Sequence, residues 1–350
     1  MITSTFRTTI ARAGITAVLA GAALGGTPGL PGTLAQAAAR MATANQSPAH
    51  QRQHVASTRP PGREWASFAY DPVHHETVLF GGDNGSTVFG DTWTRQHGTW
   101  TQQHPARSPS PRTGAAMAYD DATSQLLLFG GSRLIGTSGG FHGDTWTWTG
   151  RTWRELHPAT SPPARHNADM IYDAATQDVV LFGGFDGRYL GDTWTWNGTT
   201  WTQQTTVTAP APRDTGSFVY DAATGTGVVF GGFNGITAFT DTWTWNGSTW
   251  TQLHPATAPG AIGAWMAAYD PITQQVLLFP QGTRQTWAWN GTTWTQLTPA
   301  TSPPPRANGS MTGNTATRKI ELFGGQSTRR LTTYFNTTWT WDGSTWHRTN

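Results

Sequence analysis

Five arginines recur at one place in a repeating pattern: Arg63, Arg112, Arg165, Arg213 and Arg306. A guanidinium can clamp a carboxylate or sulfate through two parallel hydrogen bonds, so a ring of them could hold an anionic ligand. They could equally pair with a recurring aspartate or satisfy loop carbonyls, and their repetition favours that structural reading. Charges that break the pattern say more. Asp169 stands where the other repeats carry Ser, Ala or Met, and His166 and Asp214 each directly follow one of the arginines. Together with His142 they fall in three successive repeats, and such a His/Asp cluster could bind a metal or move protons. No spacing rule ties the four together, and scattered loop or core polar residues would look the same.

A third set lies in loops of unequal length. It comprises Arg133, Phe141 and His142; Asp186, Arg188 and Tyr189; Phe233 and Asn234; Arg284; and Arg329, Arg330 and Tyr334. Aromatic faces beside Asp, Asn and Arg suit stacking on and hydrogen bonding to a sugar or a peptide. Polar loops with no specific partner are the plainer reading. Trp265 replaces a small residue of the other repeats, while Ala267 replaces a Phe or Met two positions on. Bulk has either moved within a core or formed a platform for a ligand. No residue is assigned as catalytic, and no cofactor or metal is expected.

The elements that would position these residues repeat every 44–53 residues or so. One unit reads Pro-x-Arg, a strand ending Tyr-Asp, a strand ending Phe-Gly-Gly, then Asp-Thr-Trp-Thr-Trp-Asn-Gly and Thr-Trp-Thr-Gln. The glycine pairs are Gly81-Gly82, Gly130-Gly131, Gly183-Gly184, Gly231-Gly232 and Gly324-Gly325, with Pro280-Gln281 in the fifth unit. Asp91, Asp144, Asp192 and Asp241 precede each Thr-Trp and read as structural. Asp71, Asp120, Asp173, Asp221 and Asp270 read as turn residues. Four short strands, A to D, fit each unit, with Asn197-Gly198 supplying a tight C–D hairpin turn. The predicted fold is all-β, a six-bladed β-propeller with repeats at about 60–108, 109–161, 162–209, 210–258, 259–302 and 303–350. The chain ends in a strand D, so each blade is expected to be complete in itself, with the tail before Arg63 lying against the last one.

Composition narrows the function classes. Residues 1–37 read as a signal peptide: Arg7 and Arg12, the apolar run Ile15–Gly26, and the small-residue site Ala35-Gln36-Ala37. Residues 38–59 read as a linker, and no later stretch is apolar enough to span a membrane. The chain is therefore expected outside the cytoplasm as a soluble, secreted or periplasmic monomer. The 22 Lys and Arg against 20 Asp and Glu leave a net charge of +2. Loss of Arg7 and Arg12 would bring this close to zero, too little for a nucleic-acid binder. There is no cysteine, hence no thiolate for catalysis or zinc.

The strand-Gly-Gly pattern with spaced aromatics, six times in register, resembles the kelch repeat of the galactose oxidase propeller and of kelch adaptor proteins. Oxidases of that kind carry copper and a Cys-crosslinked Tyr, which a chain without cysteine cannot form. Propellers resembling sialic-acid mutarotases keep their chemistry in a central pocket of Arg and acidic residues. The recurring arginines and Asp169 permit such an enzyme without requiring it. The four glutamates, Glu64, Glu76, Glu155 and Glu321, show no obvious pairing for glycoside hydrolysis. The favoured expectation is a non-catalytic binding module for an extracellular glycan or protein. The alternatives are a carbohydrate-active enzyme and a cell-surface assembly scaffold.

Overall fold

The computed structural model describes residues 58–136, 139–214, 216–260, 265–328 and 332–349. The expected signal peptide and most of the linker, together with Arg329 and Arg330, lie outside them; so does the side chain of Trp265. The fold is all-β, with six antiparallel sheets of four strands, each built in sequence order from one contiguous stretch. Blades 1 to 6 occupy residues 67–103, 116–156, 169–204, 217–253, 265–297 and 310–348. In blade 3, strand A is Asp169–Asp173, B Asp178–Phe182, C Thr193–Trp196 and D Trp201–Gln204.

The residue types explain the layering. Strands A carry small residues and touch the A strands of both neighbouring blades, all round the ring. Strands B are apolar runs such as Val179-Val180-Leu181-Phe182, buried on both faces. Strands D form the outer edge, where only the leading Trp is buried. Turn chemistry sets the register. In the A–B turn, Asp173 Oδ1 accepts the Ala175 N–H at 3.0 Å. In the C–D turn, Asn197 Oδ1 accepts from Thr199 and Thr200 N–H, both at 3.0 Å, and Gly198 takes the left-handed backbone that such a hairpin requires.

One contact joins every blade to the one before it. The indole N–H of the leading Trp in strand D donates to the first Thr of strand C in the preceding blade. Trp153 reaches Thr92 at 2.9 Å, Trp201 reaches Thr145 at 3.0 Å and Trp250 reaches Thr193 at 2.9 Å. Trp294 donates to Thr242 at 3.1 Å and Trp346 to Thr286 at 3.0 Å. Trp100 in blade 1 completes the set by donating to Thr338 of blade 6 at 3.1 Å. The same rings pack on the Phe ending strand B of that preceding blade, for example Phe182–Trp250 at 5.0 Å and Phe323–Trp100 at 5.2 Å. The ring therefore closes by the side-chain contacts used at every other interface, not by a shared sheet. One buried ion pair is special to the closure, Arg95 to Glu321 at 2.6 Å. Arg95 occupies the place that a Trp fills in the other blades.

Candidate functional site: the axial mouth on the loop face

The entry arginines hold the loops that shape this face. Arg165 Nη1 donates to the Gly183 carbonyl at 3.0 Å and its Nε to Pro163 O at 3.0 Å. Its two terminal nitrogens clamp Asp192 at 2.6 and 2.8 Å, and Asp192 also accepts the Trp194 indole N–H at 2.7 Å. Arg63–Asp91, Arg112–Asp144 and Arg213–Asp241 repeat this clasp. Burial works to raise these four aspartates, but hydrogen bonds and charge from the arginines outweigh it and hold the carboxyl groups below their usual range. The glycine pairs run against the neighbouring blade. The Gly82 N–H donates to Arg112 O at 2.9 Å, and a Cβ on Gly81 would lie 2.3 Å from that same oxygen. In blades 1 to 4 the arginines are thus engaged within the protein. Arg165 in particular is buried in its clasp.

The residue after each entry arginine bridges to the residue after the glycine pair: Glu64 to Asp83, Thr113 to Ser132, His166 to Phe185 and Asp214 to Phe233. The next position turns through a left-handed backbone at Trp65, Gly114, Asn167 and Asn308. Main-chain hydrogen bonds link these turns around the axis, from Trp65 N to Asn308 O at 3.0 Å, Gly114 N to Trp65 O at 2.9 Å and Asn167 N to Gly114 O at 2.8 Å. Glu64, Asp83, Thr113, His166, Asp214 and Phe233 of these bridges line an axial cavity of about 550 Å³. Its walls have two characters. Across blades 2 to 4 the lining residues His166, Tyr189 and Phe233 are backed by Phe141 and Phe185 in one chain of rings: Phe141 stacks on His166 at 5.2 Å, His166 meets Phe185 at 5.8 Å, Phe185 meets Tyr189 at 5.0 Å and Tyr189 meets Phe233 at 6.1 Å. The rest of the lining includes the carboxyl groups Glu64, Asp83 and Asp214, the last beside Phe233, and the amides Asn308, Gln281 and Gln326.

No Lys or Arg side chain lines this mouth among the described residues. Burial raises Glu64 to about 7, with Asp83 adding to it, while Asn308 Nδ2 donates to Glu64 Oε2 at 2.6 Å and opposes the rise. Burial lowers His166 to about 4, and its Nε2 has no hydrogen-bond partner among the described residues. Below the mouth, strands A line a narrower waist of about 200 Å³ that contains Asp169. What surface Asp169 keeps faces this channel; burial, then the Asp214 charge, drives its carboxyl well above the usual range. The mouth can therefore offer carboxyl groups as donors or acceptors near neutral pH, beside aromatic faces. It suits neutral and cationic groups and disfavours anions.

The residues singled out in sequence separate into groups. His166, Tyr189, Asp214 and Phe233 meet at the mouth, with Phe141 behind His166 and Asp169 below. His142 does not join that cluster. Its loop ladder turns it outward, where it faces Ser110 and shares a separate surface cavity with Arg133. Asp186 and Arg188 form an exposed ion pair at 3.6 Å. Asn234 is spent on its own loop, accepting from Ile236 and Thr237 N–H. Arg284 is exposed on the short loop of blade 5. Tyr334 sits against Gly85 of blade 1, close enough for the Glu64 and Asp83 charges to raise it, after burial. Among the described residues no three His, Asp or Glu side chains converge as metal ligands would.

Sequence reasoning missed Glu64 and Asp83. The signal was present: His166 and Asp214 stood out because they follow an entry arginine, and Glu64 follows Arg63 in the same way. Asp83 follows Gly81-Gly82 just as Phe185 follows Gly183-Gly184.

A search of curated proteins returned no match. Residues 24–202, about half of the chain, match the family model described as the KLHDC2/KLHL20/DRC7 Kelch-repeats domain. With that match, and six four-stranded blades joined by one set of Trp–Thr contacts, the chain belongs to the Kelch-repeat family.

Proposed function

We propose that this chain is an exported, non-catalytic binding propeller that takes a hydroxyl-rich, uncharged or cationic ligand, a glycan, at its axial mouth. Kelch propellers typically serve as binding scaffolds. The observation that carries the glycan reading is that Tyr189 and Phe233, with Phe185 packed behind Tyr189, line the same cavity as Glu64 and Asp83, with no Lys or Arg in its lining among the described residues. Sugar rings present an apolar face to stack on aromatics and hydroxyls to bond to carboxylates. A second reading, a protein segment that inserts a Lys or Arg, is favoured by the mouth's three carboxylates. A glycan array of neutral and amino sugars, probed with the full chain and with Tyr189→Ala, tests the first reading. Specific signals that the variant loses are expected. Array silence, or signals the variant keeps, would overturn it. Export is supported by the sequence of residues 1–37, and N-terminal sequencing of chain recovered from medium or periplasm should begin at Ala38.

A further inference from the structure

Blade 6 keeps half of the clasp. In blades 1 to 4 three donors, two from the arginine and one from a Trp indole, converge on a single aspartate carboxylate. Blade 5 has lost both charges together. Ile262 stands at the entry position, and Gln285 replaces the aspartate, accepting the Trp287 indole N–H at 3.1 Å. Blade 6 retains Arg306 but has Thr337 where the aspartate belongs.

The rest of the clasp is intact there. Arg306 is fully buried; its Nη1 donates to Gly324 O at 2.8 Å, and its guanidinium packs over Phe335 at 4.6 Å. Yet Arg306 Nη2, Trp339 Nε1 and Thr337 Oγ1 are all buried without a hydrogen-bond partner among the described residues. Blade 6 also has a cation where its sisters have none. Arg348 pairs with Trp339 across strands C and D, a position held by Gln102, Glu155, Gln203 and Gln252 in blades 1 to 4, and its charge acts on Arg306. A buried cation without a counter-charge is strongly destabilising, so an anion at this guanidinium would stabilise the fold.

We propose that blade 6 binds one small free carboxylate, of formate or acetate size, between Arg306 Nη2, Trp339 Nε1 and Thr337 Oγ1. The site stands apart from the axial mouth and does not depend on the function proposed for it. Two oxygens match the arginine's parallel donors and the indole, as the aspartates do elsewhere. Thr337 is about as bulky as Asp but lacks the two carboxylate oxygens that meet the donors in the sister blades, so only an anion as small as formate or acetate can take their place. Access follows from the sister clasps, where the aspartate side chains keep 19–24% of their surface exposed.

Thermal unfolding of the full chain in rising sodium formate, matched for ionic strength with sodium chloride, tests this. Ligand linkage should raise the wild-type midpoint progressively. Thr337→Asp should start higher by several degrees and lose the formate response, because it carries its own carboxylate. Trp339→Phe, which keeps the packing but not the donor, should need about tenfold more formate for the same shift. A larger anion such as benzoate should give no shift. Equal formate responses in wild type and Thr337→Asp would show an adventitious salt effect and overturn the site, as would a response unchanged in Trp339→Phe.

Discussion

Replacing Glu64 by Gln should alter how stability depends on pH by a calculable amount. Glu64 titrates at about 7 in the folded chain against 4.5 for the ordinary carboxyl, because it is buried at the mouth beside Asp83. Between these values the folded state holds a proton that the unfolded state has released. Stability from this group therefore falls as pH rises from 4.5, and the cost is fully present above 7. At 1.36 kcal/mol per decade the difference amounts to about 3 kcal/mol. Gln keeps the shape and the Asn308 hydrogen bond, since its carbonyl can accept what Oε2 accepts at 2.6 Å. Other groups add their own pH dependence: burial raises Asp169 and lowers His166. The informative quantity is thus the difference between the two proteins, not either curve. Urea unfolding at pH 4.5, 6 and 8 should show Glu64→Gln gaining on wild type by about 3 kcal/mol from the lowest to the highest pH. A difference that stays flat within 0.5 kcal/mol or so would refute the buried, proton-holding Glu64 and the acidic mouth built on it.

Two further predictions concern the frame. Asp192→Ala leaves the buried Arg165 guanidinium and the Trp194 indole without their acceptor, and should cost about 3–5 kcal/mol in urea unfolding. Adding Arg165→Met should recover most of that loss; if the double variant is no better than the single, the clasp is not the cause. Trp100→Phe removes the donation to Thr338 across the closure, and Trp201→Phe removes its counterpart to Thr145. Each should cost about 1–3 kcal/mol. A closure variant far milder than the internal one would mean that blades 1 and 6 are not joined as the other pairs are.

The blades were legible because their determinants are local. Asp173 and Asn197 bond to backbone two or three residues on, and the apolar run Val179–Phe182 marks a strand buried on both faces wherever its neighbours come from, here blades 2 and 4. The entry arginines were legible as a set, and their pairing with Asp91, Asp144, Asp192 and Asp241 was one of two readings that repetition suggested. The closure pair Arg95–Glu321 was not, since its partners lie 226 residues apart and neither belongs to the repeat pattern. The mouth was half legible. His166 and Asp214 departed from their repeat positions and were noticed, but Glu64 sits in the first unit, whose irregularities resemble those of any chain start. His142 seemed to share their cluster because it is near in sequence to blade 3, yet its loop turns outward from the axis. Side-chain direction in a loop is set by the local ladder, which composition does not report.

In the function proposed above, ligand enters at the loop-face mouth and not at the opposite end of the channel, where Tyr70, Tyr119, Tyr172, Tyr220 and Tyr269 gather. Calorimetric titration of the strongest array glycan into wild type, Tyr189→Ala and Tyr220→Phe decides between the ends. At least a tenfold loss of affinity is expected in Tyr189→Ala, about 1.4 kcal/mol, with wild-type binding in Tyr220→Phe. Wild-type affinity in Tyr189→Ala with loss in Tyr220→Phe would contradict it and move the site to the other face.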